Sequence, residues 1–158
     1  MSKKFIGTIE NKPIHKHRIM IPKYYRDSFS EEADETALVT IGPVNNIIIY
    51  PYDNWKKLYK KLSKGNREQR KLLSDMRFFA MTPQKFEGPG RIKLSKELIE
   101  IAKINDKVSY VGEGSFISVW NPESLEKIKT ERLRRRVGVY EDFDHQIDED
   151  LELSDELP

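Results

Sequence analysis

The sequence predicts an α+β fold, rich in β-strands, in which two copies of one structural unit cover each other's apolar faces. The first observation behind this prediction is a heptapeptide that occurs twice, at residues 17–23 and at residues 90–96. The second is that the similarity continues downstream, into an apolar hairpin and a charged helical segment in each half. Agreement in order, type and spacing over about fifty residues indicates an internal repeat, and thus a pseudo-dimer formed by one chain.

The two copies align residue by residue. Arg18 aligns with Arg91 and Lys23 with Lys96 at an offset of 73, while the later segments align at an offset of 70. The later segments are residues 38–42 with 108–112, residues 47–50 with the last four residues of 116–120, and residues 53–58 with 123–128. The change of offset places the difference in length in the loops.

The composition argues against several classes of protein. With 158 residues, 37% of them hydrophobic, the chain can form one ordinary domain or two small halves that share a core. No run approaches the roughly 18 apolar residues of a membrane span, and no apolar signal segment follows residues 1–4, so we expect a cytoplasmic protein. The absence of cysteine excludes thiolate metal sites, disulfides and cysteine nucleophiles.

The charge is unevenly distributed along the chain. The net charge of +2 combines 28 basic and 26 acidic residues, but nine of the acids lie in residues 141–158, which contain no Lys or Arg. Residues 1–140 therefore have 17 acids against 28 bases, a formal charge of +11. A basic body favours a polyanionic partner, although a solvated charged surface is the alternative interpretation.

The first copy is expected to contain two strands, a short helix, a hairpin and a longer helix. Pro22 ends the second strand, and Asp53 is predicted to cap the longer helix, whose apolar stripe begins at Trp55. These elements are predicted at residues 5–10 and 17–21 (strands), 23–29 (short helix), 37–41 and 47–50 (hairpin) and 53–62 (helix), with an acidic loop at 30–35.

The second copy repeats this order after a connecting helix at residues 67–78. The Gly88-Pro89-Gly90 sequence predicts a tight turn between its first two strands. Ser95 is predicted to cap the short helix, and Pro122 to open the last helix, where proline is tolerated. The elements are predicted at residues 79–86 and 91–94 (strands), 96–102 (helix), 107–111 and 116–120 (hairpin), and from residue 122 onward (helix).

Four segments are expected in the domain organisation. From about residue 140 the acidic composition predicts disorder, because few apolar residues are available to offset the entropy of the chain. The segments are the first copy at residues 1–62, the connecting helix at 63–78, the second copy at 79–130, and a basic helix end with a disordered acidic tail at 131–158.

Basic residues at the same place in both copies predict a pair of related DNA sites. Arg, Lys and the amides of turns bind the phosphates of duplex DNA. Arg can also bind guanine in a bidentate manner, so Arg18 and Arg91 are the candidates for sequence readout. The alternative is that both arginines pair with internal carboxylates. The candidate DNA contacts are Lys12, His15, Lys16, His17, Arg18 and Lys23 in the first copy and Lys85, Arg91, Lys93 and Lys96 in the second.

Several motifs together resemble the MraZ family. They are Phe5-Ile6-Gly7, the Arg-Ile-x-[Ile/Leu] strand of both copies, Tyr50-Pro51-x-x-x-Trp55, Asn66-Arg67-Glu68 and Trp120-Asn121. The resemblance covers about residues 5–130 and implies a sequence-specific, DNA-binding transcriptional regulator built from two AbrB-like swapped-hairpin repeats. It implies a pseudo-two-fold, β-rich barrel with peripheral helices, and assembly into ring-like homo-oligomers. It also implies association with the nucleoid and binding to repeated promoter elements upstream of the division and cell wall gene cluster.

The signature of that family is an Asp-x-x-x-Arg loop in each repeat, whose Arg faces DNA, and this chain departs from it. In the second copy Glu87 occupies the acidic position before Arg91. In the first copy Ile14 stands there, and two histidines and a lysine follow before Arg18. The first loop is therefore more basic, which favours phosphate contact at the expense of the loop geometry that the family uses.

Other functions are predicted less well. His15 and His17 would lie on one face of a strand, but without a third ligand they are a weak metal site, and their protonation in mild acid would instead strengthen anion binding. The sequence contains no nucleophile elbow, P-loop or dinucleotide fingerprint, so we expect neither an enzyme nor a cofactor or small-molecule substrate. The remaining alternative is a ring scaffold or protein-interaction module that has lost specific DNA reading. Autoinhibition by an acidic tail folded over the basic loops is a further hypothesis.

Overall fold

The computed structural model describes residues 4–155, and the surroundings of side chains for residues 4–138, 141 and 142. The chain divides into two compact units, of which the first ends at Pro122 and the second begins at Glu123. The strands are β1 (Thr8–Pro13), β2 (Arg18–Met20), β3 (Thr36–Ile41), β4 (Ile47–Pro51), β5 (Gln84–Lys85), β6 (Arg91–Lys93), β7 (Lys107–Gly112) and β8 (Ile117–Trp120). The helices are α1 (Lys23–Arg26), α2 (Tyr52–Ser63), α3 (Arg67–Phe79), α4 (Lys96–Ile101) and α5 (Pro122–Asp155), with one 3-10 turn at Glu31–Ala33.

The strands form one six-stranded sheet and one two-stranded ribbon, and all their pairings are antiparallel. The order in the large sheet is β1-β7-β8-β4-β3-β5, and the ribbon consists of β2 and β6. The α+β class is confirmed. The expected barrel is wrong for this sheet, because β1 bonds only to β7 and β5 only to β3, which leaves two open edges in the described part of the chain.

The pairing register follows the internal repeat. In the ribbon Ile19 faces Ile92, two residues that align at the offset of 73. In the centre of the large sheet Ile48 faces Ser118, which align at the offset of 70. The first strand of each copy pairs with the hairpin of the other copy, since β1 lies beside β7 and β5 beside β3. The register of the ribbon and of the β4–β8 pair is thus the same when the two copies are exchanged, whereas the hairpins and the outer strand pairs differ by one or two residues.

Two apolar clusters pack on opposite sides of the hairpin strands, as the two-residue period of a strand requires. Ile47 and Ile49 of β4 belong to a cluster that also contains the buried ribbon residues Ile19 and Ile92. The second cluster lies beneath α2 and α3, and it consists of Leu38, Ile48, Tyr50, Trp55, Leu62, Leu73 and Met76. The stripe of α2 is therefore a core stripe at Trp55 and Leu62, while Tyr59 is exposed.

Most local predictions for these elements are confirmed. The hairpins, the ribbon strands and the connecting helix are present, the Ser95 hydroxyl accepts a hydrogen bond from the Leu98 amide, and α5 begins at Pro122. Asn66 and Gln69 form a capping box at the start of α3.

Three local predictions are wrong. The first strand begins at Thr8, and Phe5 makes only an isolated bridge with Gly114. The first strand of the second copy is only two residues long, Gln84–Lys85, and α3 continues one residue further than predicted, to Phe79. Asp53 caps no helix: α2 begins one residue earlier, and the Asp53 carboxylate accepts a hydrogen bond from the Ser30 hydroxyl at 2.8 Å.

The last helix is longer than predicted. The backbone of α5 continues to Asp155, across the segment for which the composition predicts disorder. Residues 139–155 contain neither Gly nor Pro, the two residues that most disfavour a helix interior. The side chains of residues 143–158 lie outside the described residues, so autoinhibition by the tail stays a hypothesis. No helix in the described part of the chain is long and apolar enough to cross a membrane.

Candidate nucleic-acid interface

The outer face of the β2–β6 ribbon gathers three of the predicted DNA contacts. Strand residues alternate between two faces, so Ile19 and Ile92 point inward and are buried. Arg18 lies opposite Lys93 and Met20 opposite Arg91 on the outer face. This face therefore presents three cations and one methionine, whose side chain is 39% exposed.

The first loop beside the ribbon is a two-residue turn. The His15 amide donates to the Arg18 carbonyl at 3.0 Å, and the Arg18 amide donates to the His15 carbonyl at 2.9 Å. The two central residues, Lys16 and His17, have φ of 50° and 63°, which is the left-handed backbone of a type I′ turn. Glycine or asparagine usually occupies such positions. The turn holds His15, Lys16 and His17 exposed at its tip.

The second loop is one residue longer and contains two glycines in left-handed conformations. The Glu87 amide donates to the Arg91 carbonyl at 2.8 Å, and the Arg91 amide donates back at 2.9 Å. Gly88 and Gly90 have φ of 54° and 128°. The glycines therefore permit a three-residue turn, so the predicted tight turn is confirmed.

Arg26 of α1 holds this second loop in place, and the sequence did not identify it. Its Nε donates to the Ile21 carbonyl at 2.8 Å, and its Nη1 donates to the Pro89 carbonyl. A Cβ on Gly90 would lie 2.1 Å from Arg26 Cδ, so the glycine makes room for this side chain. The residue aligned with Arg26 is Ile99, so the repeat gives no indication of the role.

Backbone hydrogen bonds join the two loops across the ribbon. The Ile21 amide donates to the Gly90 carbonyl at 2.9 Å, and the Leu94 amide donates to the His17 carbonyl at 2.8 Å. Each bond is the counterpart of the other under the offset of 73. The two loops and the ribbon between them consequently form one surface.

The two candidate reader arginines have different surroundings. Arg18 Nε lies 3.1 Å from Glu87 Oε2, a pair of side chains that are 35% and 51% exposed. Arg91 is exposed and forms no salt bridge with any described residue. The residue of the first copy that aligns with Glu87 is Ile14, which cannot form an ion pair with Arg91. Arg18 therefore does pair with an internal carboxylate, as the alternative interpretation expected. Arg91 pairs with none within residues 4–138.

The lysines that flank the ribbon form weak surface ion pairs. Lys23 Nζ lies 2.7 Å from the Asp27 carboxylate, and Lys96 Nζ lies 4.0 Å from the Glu100 carboxylate, each one helical turn away. Both lysines are more than three-quarters exposed, and such pairs contribute about 0–1 kcal/mol. A phosphate can therefore replace either carboxylate at little cost.

Two other predicted contacts lie at the sides of the ribbon. Lys85 of β5 pairs with Asp34 at 3.0 Å, and Lys12 is exposed on the edge strand β1. The backbone of Lys93 bonds to the Gln84 amide group through both its N–H and its C=O, and the Lys93 side chain is exposed. No group of three His, Cys, Asp or Glu side chains within the described ranges is arranged to hold a metal ion.

The comparisons with known proteins give one consistent result. Residues 5–75 match the family model described as "MraZ protein, putative antitoxin-like". A protein of Marinomonas sp. named transcriptional regulator MraZ is 27% identical over 141 residues, which are 87% of this chain and 92% of that protein. Two further proteins of that name, from Clostridium tetani and Clostridium acetobutylicum, are each 30% identical; the alignments cover 78% and 75% of this chain and 85% and 82% of those proteins.

Proposed function

This chain belongs to the MraZ family, as its motifs indicated, and we propose that it is a DNA-binding transcriptional regulator that contacts duplex DNA through the β2–β6 ribbon. The observation that carries this proposal is the outer face of the ribbon, where Arg18, Arg91 and Lys93 lie together, with Arg91 and Lys93 exposed and Arg18 half-buried. The major groove of B-DNA, about 12 Å wide, admits a two-stranded β-ribbon. The relatives bear the name of transcriptional regulators, which is consistent with this use of the ribbon.

Each component of the surface has a role in this proposal. Arg18 and Arg91 would reach the edges of bases, because the ribbon carries them on its outer face and a guanidinium fits guanine in a bidentate manner. Lys23, Lys96 and the loop residues 15–17 would bind phosphates on either side of the groove. Such a regulator requires no catalytic group, cofactor or small-molecule substrate, and it would act in the cytoplasm at the nucleoid.

We also propose that the chain consists of two AbrB-like swapped-hairpin repeats, residues 1–62 and 79–130, joined by the helix 63–78 and followed by the tail 131–158. The support is the register, in which Ile19 faces Ile92 and Ile48 faces Ser118. An approximate two-fold axis in the ribbon would match the local two-fold symmetry of duplex DNA. A ring-like homo-oligomer would carry several ribbons, as repeated promoter elements upstream of the division and cell wall gene cluster require.

A second candidate function is a protein-interaction module or ring scaffold, and a groove favours it. The groove lies between α2, α3 and the β3–β4 hairpin, has a volume of about 520 Å³, and is lined mainly by apolar side chains. Leu72, on its rim, is 52% exposed. An apolar groove of this kind is typical of an interaction surface, and it is compatible with DNA binding at the ribbon.

The test is a fluorescence-anisotropy titration with a duplex from upstream of the protein's own gene cluster and with a shuffled duplex, over a series of salt concentrations. The double variant Arg18→Ala/Arg91→Ala should lose the preference for the native duplex, while the slope of log K against log salt, which the phosphate contacts of the lysines set, should change little. Arg70→Ala is the matched control, because Arg70 is exposed on α3. Equal weak binding of both duplexes by wild type and double variant would favour the scaffold.

A further inference from the structure

Arg18 and Arg91 differ in whether a carboxylate holds the side chain, and one residue in each loop decides this. Glu87, in the loop of the second copy, binds Arg18 of the first copy across 69 positions of sequence. The aligned position in the first copy is Ile14, which packs against the main core cluster. The backbone hydrogen bonds between the two loops are the same when the copies are exchanged. The side chains at this position are not, since a carboxylate stands in one copy and an isoleucine in the other.

The contact between Glu87 and Arg18 uses only one edge of the guanidinium. The Nε of Arg18 donates to Glu87 Oε2, while Nη1 and Nη2 donate to no group within residues 4–138. A guanidinium has five N–H donors in a rigid fork. Holding Nε from the side leaves both terminal nitrogens for a bidentate contact with the O6 and N7 atoms of guanine.

Arg91 has no such partner. A Cβ built on Gly88 would lie 3.3 Å from Arg91 Nη2, so this side chain lies over its own turn. Its charge is not compensated by a carboxylate in the described part of the chain. Arg91 therefore lacks the carboxylate contact that holds Arg18, and we expect it to discriminate less strongly between bases than Arg18 does.

We propose that Glu87 is a specificity-determining positioning residue, which acts across the ribbon on Arg18, and that the two halves of a DNA site are consequently read unequally. This inference rests on the proposed DNA-binding function. Glu87 fixes the rotamer of Arg18 before DNA arrives, so the correct base receives an ordered fork, whereas an incorrect base leaves donors that the DNA has removed from water unpaired. The carboxylate also repels phosphates, which lowers binding to unrelated DNA.

The experiment uses a duplex that wild-type protein enriches from a random-sequence library, and a shuffled version of it. For Glu87→Ala the ratio of the two affinities should fall roughly ten-fold, because one oriented base contact is lost. Glu87→Asp should restore part of the ratio. The matched control is Glu97→Ala, since Glu97 is an exposed acid in the first turn of α4 and its removal changes the net charge equally.

The double variant Arg18→Ala/Glu87→Ala separates positioning from a general charge effect. If Glu87 acts through Arg18, the ratio of the double variant should equal that of Arg18→Ala. An unchanged ratio in Glu87→Ala, or an equal change in Glu97→Ala, would overturn the inference while leaving DNA binding intact. A wild-type protein that enriches no duplex would overturn both the inference and the proposed function. Thermal unfolding should not change, because the ion pair is exposed.

Discussion

Ile19 of β2 faces Ile92 of β6, and both side chains are buried beneath the ribbon, in the same apolar cluster. The two residues also align with each other in the internal repeat. The inner face of the ribbon is thus fixed to the core by one pair of equivalent residues, while the outer face carries the cations.

We expect Ile19→Val and Ile92→Val to destabilise the protein by similar amounts. Each variant removes one buried methylene, and such changes cost about 0.5–1.5 kcal/mol. Chemical denaturation of both variants measures the cost. A clear inequality between them, beyond the range expected for one methylene, would show that the two positions are not equivalent in packing.

Substitutions in the turn of the first loop should stabilise the fold while weakening DNA binding. Lys16 and His17 have positive φ, and a non-glycine residue in this conformation costs about 1 kcal/mol. The variant Lys16→Asn/His17→Gly introduces the preferred type I′ pair and should raise the free energy of unfolding by about 1 kcal/mol. It also removes exposed basic side chains, so its DNA affinity should fall. A joint rise of stability and affinity would contradict the role of these side chains.

A methyl group on Gly90 should destabilise the second loop through a collision as well as through backbone strain. The new Cβ would lie 2.1 Å from Arg26 Cδ, and φ is 128°. Gly7→Ala is the control, because Gly7 has φ of 95° and nothing within 4 Å of a new Cβ. Gly90→Ala should cost about 1–3 kcal/mol more than Gly7→Ala in thermal or chemical unfolding. Equal costs would mean that Arg26 does not fill this space.

Buried tyrosines should make the protein sensitive to alkali. Burial raises the pKa of Tyr50 to about 12 and, together with the neighbouring Tyr24, that of Tyr25 to about 12. A raised pKa in the folded state favours the protonated form, so this stabilisation is complete below pH 10 and is lost as the pH rises from about 10 to 12. Tyr50→Phe should show a smaller loss of stability over that range. Parallel pH profiles for the variant and wild type would contradict this prediction.

Much of the fold follows from local sequence patterns. Pro22, Ser95 and Pro122 mark boundaries that the structure contains, because proline and capping residues act on their immediate neighbours. Asp53 was assigned wrongly, since its carboxylate bonds to Ser30, a residue 23 positions away. The strand β5 has only two residues, because its partner β3 pairs with it at two positions only, and no local pattern indicates this.

The candidate site could be predicted only in part. Their aligned positions in the repeat predict that Arg18 and Arg91 contact DNA together, and the structure has both on the outer face of the ribbon. The contact of Glu87 with Arg18 depends on pairing between strands 69 or more residues apart, so the sequence could suggest a carboxylate partner but not which copy supplies it. The role of Arg26 depends on a space beside Gly90 that exists only in the folded protein.

The most direct test of the central claim is photocrosslinking from the ribbon to DNA. The chain has no cysteine, so a benzophenone can be attached to a single cysteine in Met20→Cys, on the outer face of the ribbon, or in Leu72→Cys, on the rim of the apolar groove. Irradiation with a duplex from upstream of the gene cluster should crosslink the label at position 20 and not the label at position 72. Crosslinking from position 72 alone, or from neither position while the duplex is bound, would contradict DNA binding through the ribbon.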